Sequence, residues 1–118
     1  MTFKRKSLGN YGEDLALEYL LKKGFFLLGR NISFKFGEID LLMKDKDTLV
    51  VVEVKTKANP LFGLPQEEVD YRKKHKLVLL ARAVAQKFPD SKIRIDVVAV
   101  DERLDLVDHI VSAVEDTR

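Results

Sequence analysis

Cysteine and tryptophan are absent from the 118-residue chain. Without thiols there are no disulfides, thiolate metal sites or cysteine nucleophiles, which fits a reducing compartment. Proline is scarce, at 3 residues, and glycine contributes 6. They punctuate elements and build no low-complexity linker. Charge of one sign is not in excess either. Against 21 Lys+Arg stand 19 Asp+Glu, a formal net charge of +2, so bulk charge names no partner. No apolar run approaches the roughly 18 residues of a membrane helix, and the basic start Lys4-Arg5-Lys6 precedes no apolar signal core. Repeats at solenoid periods are missing. What is present, 46% hydrophobic and 34% charged residues, predicts a soluble cytoplasmic protein folded as a single domain over 1–118.

Hydrophobic periodicity and punctuation order the elements. A helix is expected from about Leu8 to Lys23, with Ser7 available as N-cap and Gly24 as the residue that stops it. The apolar run Phe25-Phe26-Leu27-Leu28 follows between glycines. Then Gly37–Met43 and Thr48–Lys55 flank the polar turn Asp45-Lys46-Asp47, giving three antiparallel strands. Residues 56–64 carry loop chemistry. Pro65 with Glu67 and Glu68 makes a first turn for a long helix ending near Phe88-Pro89. Ile93–Val100 is β-branched and reads as a largely buried strand, and Leu104–Val114 as an edge strand or a short terminal helix. The fold class is therefore α/β, in the order α-β-β-β-α-β with a tail. A strand, helix and strand in succession imply a crossover and a mixed sheet flanked by helices.

Three polar residues stand where apolar ones belong. On a wheel of about 100° per residue, Glu13 falls with Ala16, Leu17 and Leu20 on the buried face of the first helix. The helix dipole offers an ordinary reason for an acid there. In the second helix Lys73 shares a stripe with Val69, Leu77, Leu80, Val84 and Phe88, and a snorkelling lysine would satisfy that pattern. The central hairpin adds Glu53. A two-residue Lys46-Asp47 turn sets Asp40 directly opposite Glu53, with Lys55 on the Glu53 side of its strand, whereas a longer Asp45–Thr48 loop would shift the register. Facing acids cost stability. A hard divalent cation such as Mg²⁺ or Mn²⁺ would compensate them, and so would a salt-bridged patch neutralised by Lys55.

Gly37-Glu38-Ile39-Asp40-Leu41, followed by Val52-Glu53-Val54-Lys55-Thr56-Lys57, resembles the GEIDL and VEVK-[TS]-[RK] signatures of the bacterial YraN family. The resemblance covers most of the chain, including Leu8–Glu13, Ala16, Tyr19-Leu20, Gly29-Arg30-Asn31, Phe62-Gly63, Val69, Lys73, Ala81 and Arg94–Val98. Departures are Ile39 where a proline often precedes the motif Asp, and Asp70-Tyr71-Arg72-Lys73 where the family has Thr-Pro-Arg-Lys. By similarity the family belongs with restriction-endonuclease-like nucleases of the PD-(D/E)XK type and is closest to archaeal Holliday-junction resolvases, whose core has the same element order.

What the resemblance implies is a metal-dependent nuclease hydrolysing phosphodiester bonds of DNA, selective for structure such as junctions or branches. Its catalytic residues would be Glu13, Asp40, Glu53 and Lys55. Asp40 and Glu53, with the carbonyl of Val54, would hold Mg²⁺ or Mn²⁺. Arg30, Lys35, Lys57, Arg72, Lys73 and Lys74 would contact nucleic acid, although a basic run such as Arg72–Lys76 is ordinarily a solvated helix start. No base-reading motif is visible, so contacts would be phosphate-directed. A homodimer follows from the resolvase likeness and symmetry. The rival readings are a non-catalytic nucleic-acid-binding or interaction module on the same fold and an RNA-directed nuclease.

Overall fold

The computed structural model describes residues 11–57 and 71–115. Ser7, the Lys4-Arg5-Lys6 start, the Leu61-Phe62 loop and the helix entry from Pro65 to Asp70 lie outside the described residues, as do the side chains of Lys57 and Tyr71.

The first helix, α1 (Tyr11–Lys22), opens with Glu13 and Asp14 at the positive end of its dipole. It ends as expected at Gly24, whose φ of 97° closes the last turn. Gly24 N–H donates to the Leu21 carbonyl (3.0 Å) and Phe25 N–H to the Leu20 carbonyl (3.1 Å). This is the paired bonding of a Schellman cap, and its apolar contact is supplied by buried Leu20 and Phe25.

Strand β1 (Phe26–Phe34) is longer than its apolar run suggests. Two irregularities hide its second half from a period-two reading: a register shift between Leu27 and Gly29, and Asn31 with a φ of 50°. Strands β2 (Gly37–Asp45) and β3 (Thr48–Lys57) form the expected hairpin on a two-residue turn, with Lys46 at a φ of 58°. Helix α2 (Tyr71–Lys87) buries Leu77, Leu80, Ala81 and Val84 at helical spacing. It leads to β4 (Lys92–Asp101), which lies parallel to β3. The tail is the strand alternative, β5 (Leu106–Val114), antiparallel to β4.

The sheet runs β1-β2-β3-β4-β5 and is mixed, with the two helices on opposite faces. Under α2 lie Leu49, Val51, Ile95 and Val97; under α1 lie Val50, Val52, Val98 and Val100. Burial on both faces explains why β3 and β4 read as nearly unbroken valine runs. This α/β architecture is that of a restriction-endonuclease-like core. No described helix is long and apolar enough to cross a membrane.

Candidate active site

The β2–β3 ladder sets the position of the acids. Its recorded pairs run from Asp45↔Thr48 to Leu41↔Val52 and stop there. Continuing that register by one step puts Asp40 across from Glu53, as the two-residue turn requires. Beyond this point the strands no longer pair. The Val54 N–H donates to the Asp40 carboxylate (2.8 Å) in place of a ladder carbonyl. Strict alternation also breaks here: Ile39 joins the core under α2, whereas Leu41 and Met43 belong to the core under α1. Asp40 therefore sits where the central strands part, within electrostatic reach of Glu13 on α1.

The electrostatics of Asp40 follow from that placement. Burial pushes its carboxyl up and the Glu53 charge pushes it further, against the lowering effect of the Val54 N–H. Glu13 and Glu38 add to the rise, and the result is a pKa of about 7 instead of 3.8. Glu13 comes from the first turn of α1, which lies close to the end of β3: a side chain at Gly12 would collide with Thr56. Glu13 is 14% exposed, and Arg30 Nη2 reaches it at 3.4 Å while also pairing with Asp14 at 2.9 Å. Asn31 Nδ2 donates to both of its carboxylate oxygens, at 3.2 and 3.4 Å.

On the other side of the sheet, Lys73 Nζ lies 3.0 Å from Glu53 Oε2. The lysine that interrupts the apolar stripe of α2 thus lies above an acid that interrupts an apolar strand. Glu53 is 13% exposed and Lys73 46%. Lys55 follows Glu53 by two and shares its side of β3, Val54 between them packing toward α1. Gly37 makes room for the aliphatic stem of Lys76, whose Cδ would stand 3.0 Å from a Cβ at that position.

The structure thus puts Glu53 and Glu13 within electrostatic range of Asp40, with Lys73 paired to Glu53. Arg30, expected among the nucleic-acid contacts, is committed to Glu13 and Asp14. Lys35, Arg72 and Lys74 are exposed. Sequence reasoning gave Asn31 no role. Its signal was an asparagine within a strand, the residue type that most readily takes the left-handed backbone.

Hard carboxylate oxygens from Asp40 and Glu53 are the donor type and number that Mg²⁺ takes from a protein, with waters filling its octahedron. Among the described residues no group of three or more His, Cys, Asp or Glu forms a ready-made metal cage. Glu13 accordingly acts on Asp40 at electrostatic range. Replacing Lys73 tests the charge balance: Lys73→Met should cost no more than about 1 kcal/mol of cation-free stability, because Lys73 itself is half-exposed. It should also tighten Mn²⁺ binding, since Glu53 loses a competing cation. Melting with and without MnCl₂ reads both effects.

Fold and site together define a restriction-endonuclease-like α/β domain with clustered carboxylates at the parting of its central hairpin. The sequence pattern of the Uncharacterised protein family UPF0102 matches residues 12–100, and the chain belongs to that family, which also bears the name YraN. It is 40% identical to the UPF0102 protein TTE1452 of Caldanaerobacter subterraneus subsp. tengcongensis, over 92% of this chain and 95% of that protein. The UPF0102 protein THEYE_A1950 of Thermodesulfovibrio yellowstonii is 38% identical over 92% and 96%. The UPF0102 protein of Syntrophomonas wolfei is 36% identical over 92% and 97%.

Proposed function

We propose that the protein is a metal-dependent nuclease that hydrolyses DNA phosphodiester bonds and selects its substrate by shape, junctions or branches foremost. The observation that carries this reading is the convergence of Glu13 and Glu53 on Asp40, which leaves Asp40 costly to ionise without a cation. Such a cluster costs the fold stability, and a divalent cation held by Asp40 and Glu53 would offset that cost.

In this reading Asp40 and Glu53 would hold Mg²⁺ or Mn²⁺, which when bound polarises the scissile phosphate and activates water. The Val54 N–H fixes one Asp40 oxygen and so orients the carboxylate. Lys55 orients the attacking water or offsets charge developing on the phosphate. Lys73, beside Glu53, would contact the scissile or a neighbouring phosphate. Arg72, Lys74 and Lys35, with Lys57, would bind the flanking backbone in a salt-sensitive manner. Two strands cut at related positions call for a homodimer.

The test is to incubate the protein with labelled four-way junction, flap, duplex and single-stranded DNA and a matched RNA, under Mg²⁺, Mn²⁺ or EDTA, beside Lys55→Ala. Expected is cation-dependent cutting of branched DNA that Lys55→Ala lowers by at least about 100-fold, the scale of one transition-state charge contact. Binding of all substrates without any cutting, unchanged in Lys55→Ala, would replace this reading with that of a nucleic-acid-binding module. Preference for the RNA would move the substrate class.

A further inference from the structure

We propose that Asn31 is the positioning residue of this site, holding Glu13 beside Asp40 so that the third carboxylate contributes to cation binding. The inference rests on the nuclease reading and assigns a residue that reading leaves out.

Three observations carry it. The first is register: Arg30↔Leu41 and Ile32↔Ile39 bracket Asp40, so Asn31 falls level with Asp40 on β1, and one step beyond Leu41↔Val52 puts Glu53 level with it on β3. Asn31, Asp40 and Glu53 form one row over three strands. The second is backbone. Successive side chains of a regular strand point to opposite faces, yet Arg30 and Asn31 both donate to the same Glu13 carboxylate. The left-handed φ of 50° at Asn31 interrupts that alternation. Such a backbone in a non-glycine residue is disfavoured and tends to persist where function requires it.

The third is chemistry. Glu13 is largely buried and close enough to repel Asp40, so an untethered Glu13 would turn away toward water. Arg30 opposes this, but it is shared with Asp14 and approaches Glu13 at only 3.4 Å. Asn31 donates one amide nitrogen to both carboxylate oxygens. An amide fixes the orientation of the carboxylate and brings no charge of its own. Glu13 then adds its charge to the field at Asp40, and Asn31 fixes where that charge stands, as outer hydrogen-bond partners do around a metal site.

Asn31→Gly separates the roles, because glycine takes the left-handed backbone without strain and only the amide is lost. Expected is a cation-free melting point at or near that of wild type, and a Mn²⁺ dissociation constant, by calorimetry, raised about 10- to 100-fold. On the preferred DNA, kcat should fall by a similar factor with KM unchanged. In a Glu13→Gln background the same change should add nothing to the loss of Mn²⁺ affinity, since Asn31 acts through Glu13. Wild-type Mn²⁺ affinity in Asn31→Gly, or full additivity with Glu13→Gln, would overturn the assignment while leaving the nuclease reading intact. A wild-type protein that takes up no Mn²⁺ would overturn both.

Discussion

Asp40→Asn should abolish cutting and, in the absence of divalent cations, make the protein more stable above pH 7. The two effects share one cause. Folding raises the Asp40 carboxyl from its ordinary 3.8 to about 7, through burial and the charges of Glu53, Glu13 and Glu38. The folded state therefore binds the Asp40 proton more tightly than the unfolded one. This carboxyl costs nothing below pH 4, and its penalty builds between about pH 4 and pH 7 and levels off above that. At about 1.4 kcal/mol per pKa unit, the rise from 3.8 to about 7 makes the penalty at pH 8 roughly 4 kcal/mol, shared with Glu53. Asparagine keeps the shape and an oxygen for the Val54 N–H, and it sheds the charge. The gain in Asp40→Asn over wild type should thus be near zero at pH 4 and largest at pH 8, followed by denaturant titration across that range.

Millimolar Mn²⁺ should stabilise wild type at pH 8, much less at pH 5, and Asp40→Asn at neither. Cutting should rise with pH through about 7 at low Mn²⁺, and this rise should move to lower pH as the cation saturates. A variant destabilised at pH 8 would mean that Asp40 is a structural carboxylate with its charge already compensated. Loss of activity is expected to exceed about 1000-fold, because both the ion and its electrostatic work go with the carboxylate.

Much of this site was legible in the sequence because its logic is one-dimensional. A two-residue turn between alternating strands fixes which residues face each other, and Asp40 opposite Glu53 follows from counting alone. Helical spacing likewise marked Glu13 and Lys73 as polar residues on apolar stripes. The structure adds that each stripe overhangs an acid at the end of the central strands. What periodicity could not show is backbone that departs from it. Periodicity shows strand β1 only as far as Leu28, because a register shift and the left-handed Asn31 scramble the rest of its pattern. The tail stayed open between strand and helix for a related reason. Ser112 has a φ of 54°, and β5 shifts register against β4 between Ile95 and Val97, so its apolar residues keep neither period.

That irregular edge is held by Asp96, and removing its carboxylate should damage the fold most. Asp96 is fully buried in β4. Arg94 donates to both of its oxygens, at 2.9 and 3.0 Å, and the Ser112 N–H donates at 3.0 Å. His109 Nε2 lies 2.7 Å away, its side chain 1% exposed. Lys23 can only donate, so its approach to His109 Nδ1 at 2.9 Å makes that nitrogen the acceptor and Nε2 the N–H that bonds Asp96. Phe25 and Tyr19 meet the imidazole edge-on. Burial alone would raise the Asp96 carboxyl, but the bonds from His109, Arg94 and Ser112 outweigh it and hold it below its ordinary value.

Asp96→Ala strands these buried donors, and a loss of about 3 to 5 kcal/mol is expected, a large share of the stability of a domain this size. The pH dependence has the opposite sign to that of Asp40. A carboxyl lowered by folding stabilises above its unfolded pKa, and that stabilisation fades as pH falls through the folded value. The deficit of Asp96→Ala should therefore be full at pH 7 and shrink in acid below about 4, where the Asp40 penalty is already absent. Hydrogen exchange locates the damage: β5 amides from Leu106 to Val114 should lose protection before those of β2 and β3. Uniform loss across the sheet would mean that Asp96 supports the whole core and not the edge strand alone. Asp96→Asn should fail nearly as badly, because its amide turns a donor toward Arg94 or His109, both of which only donate here.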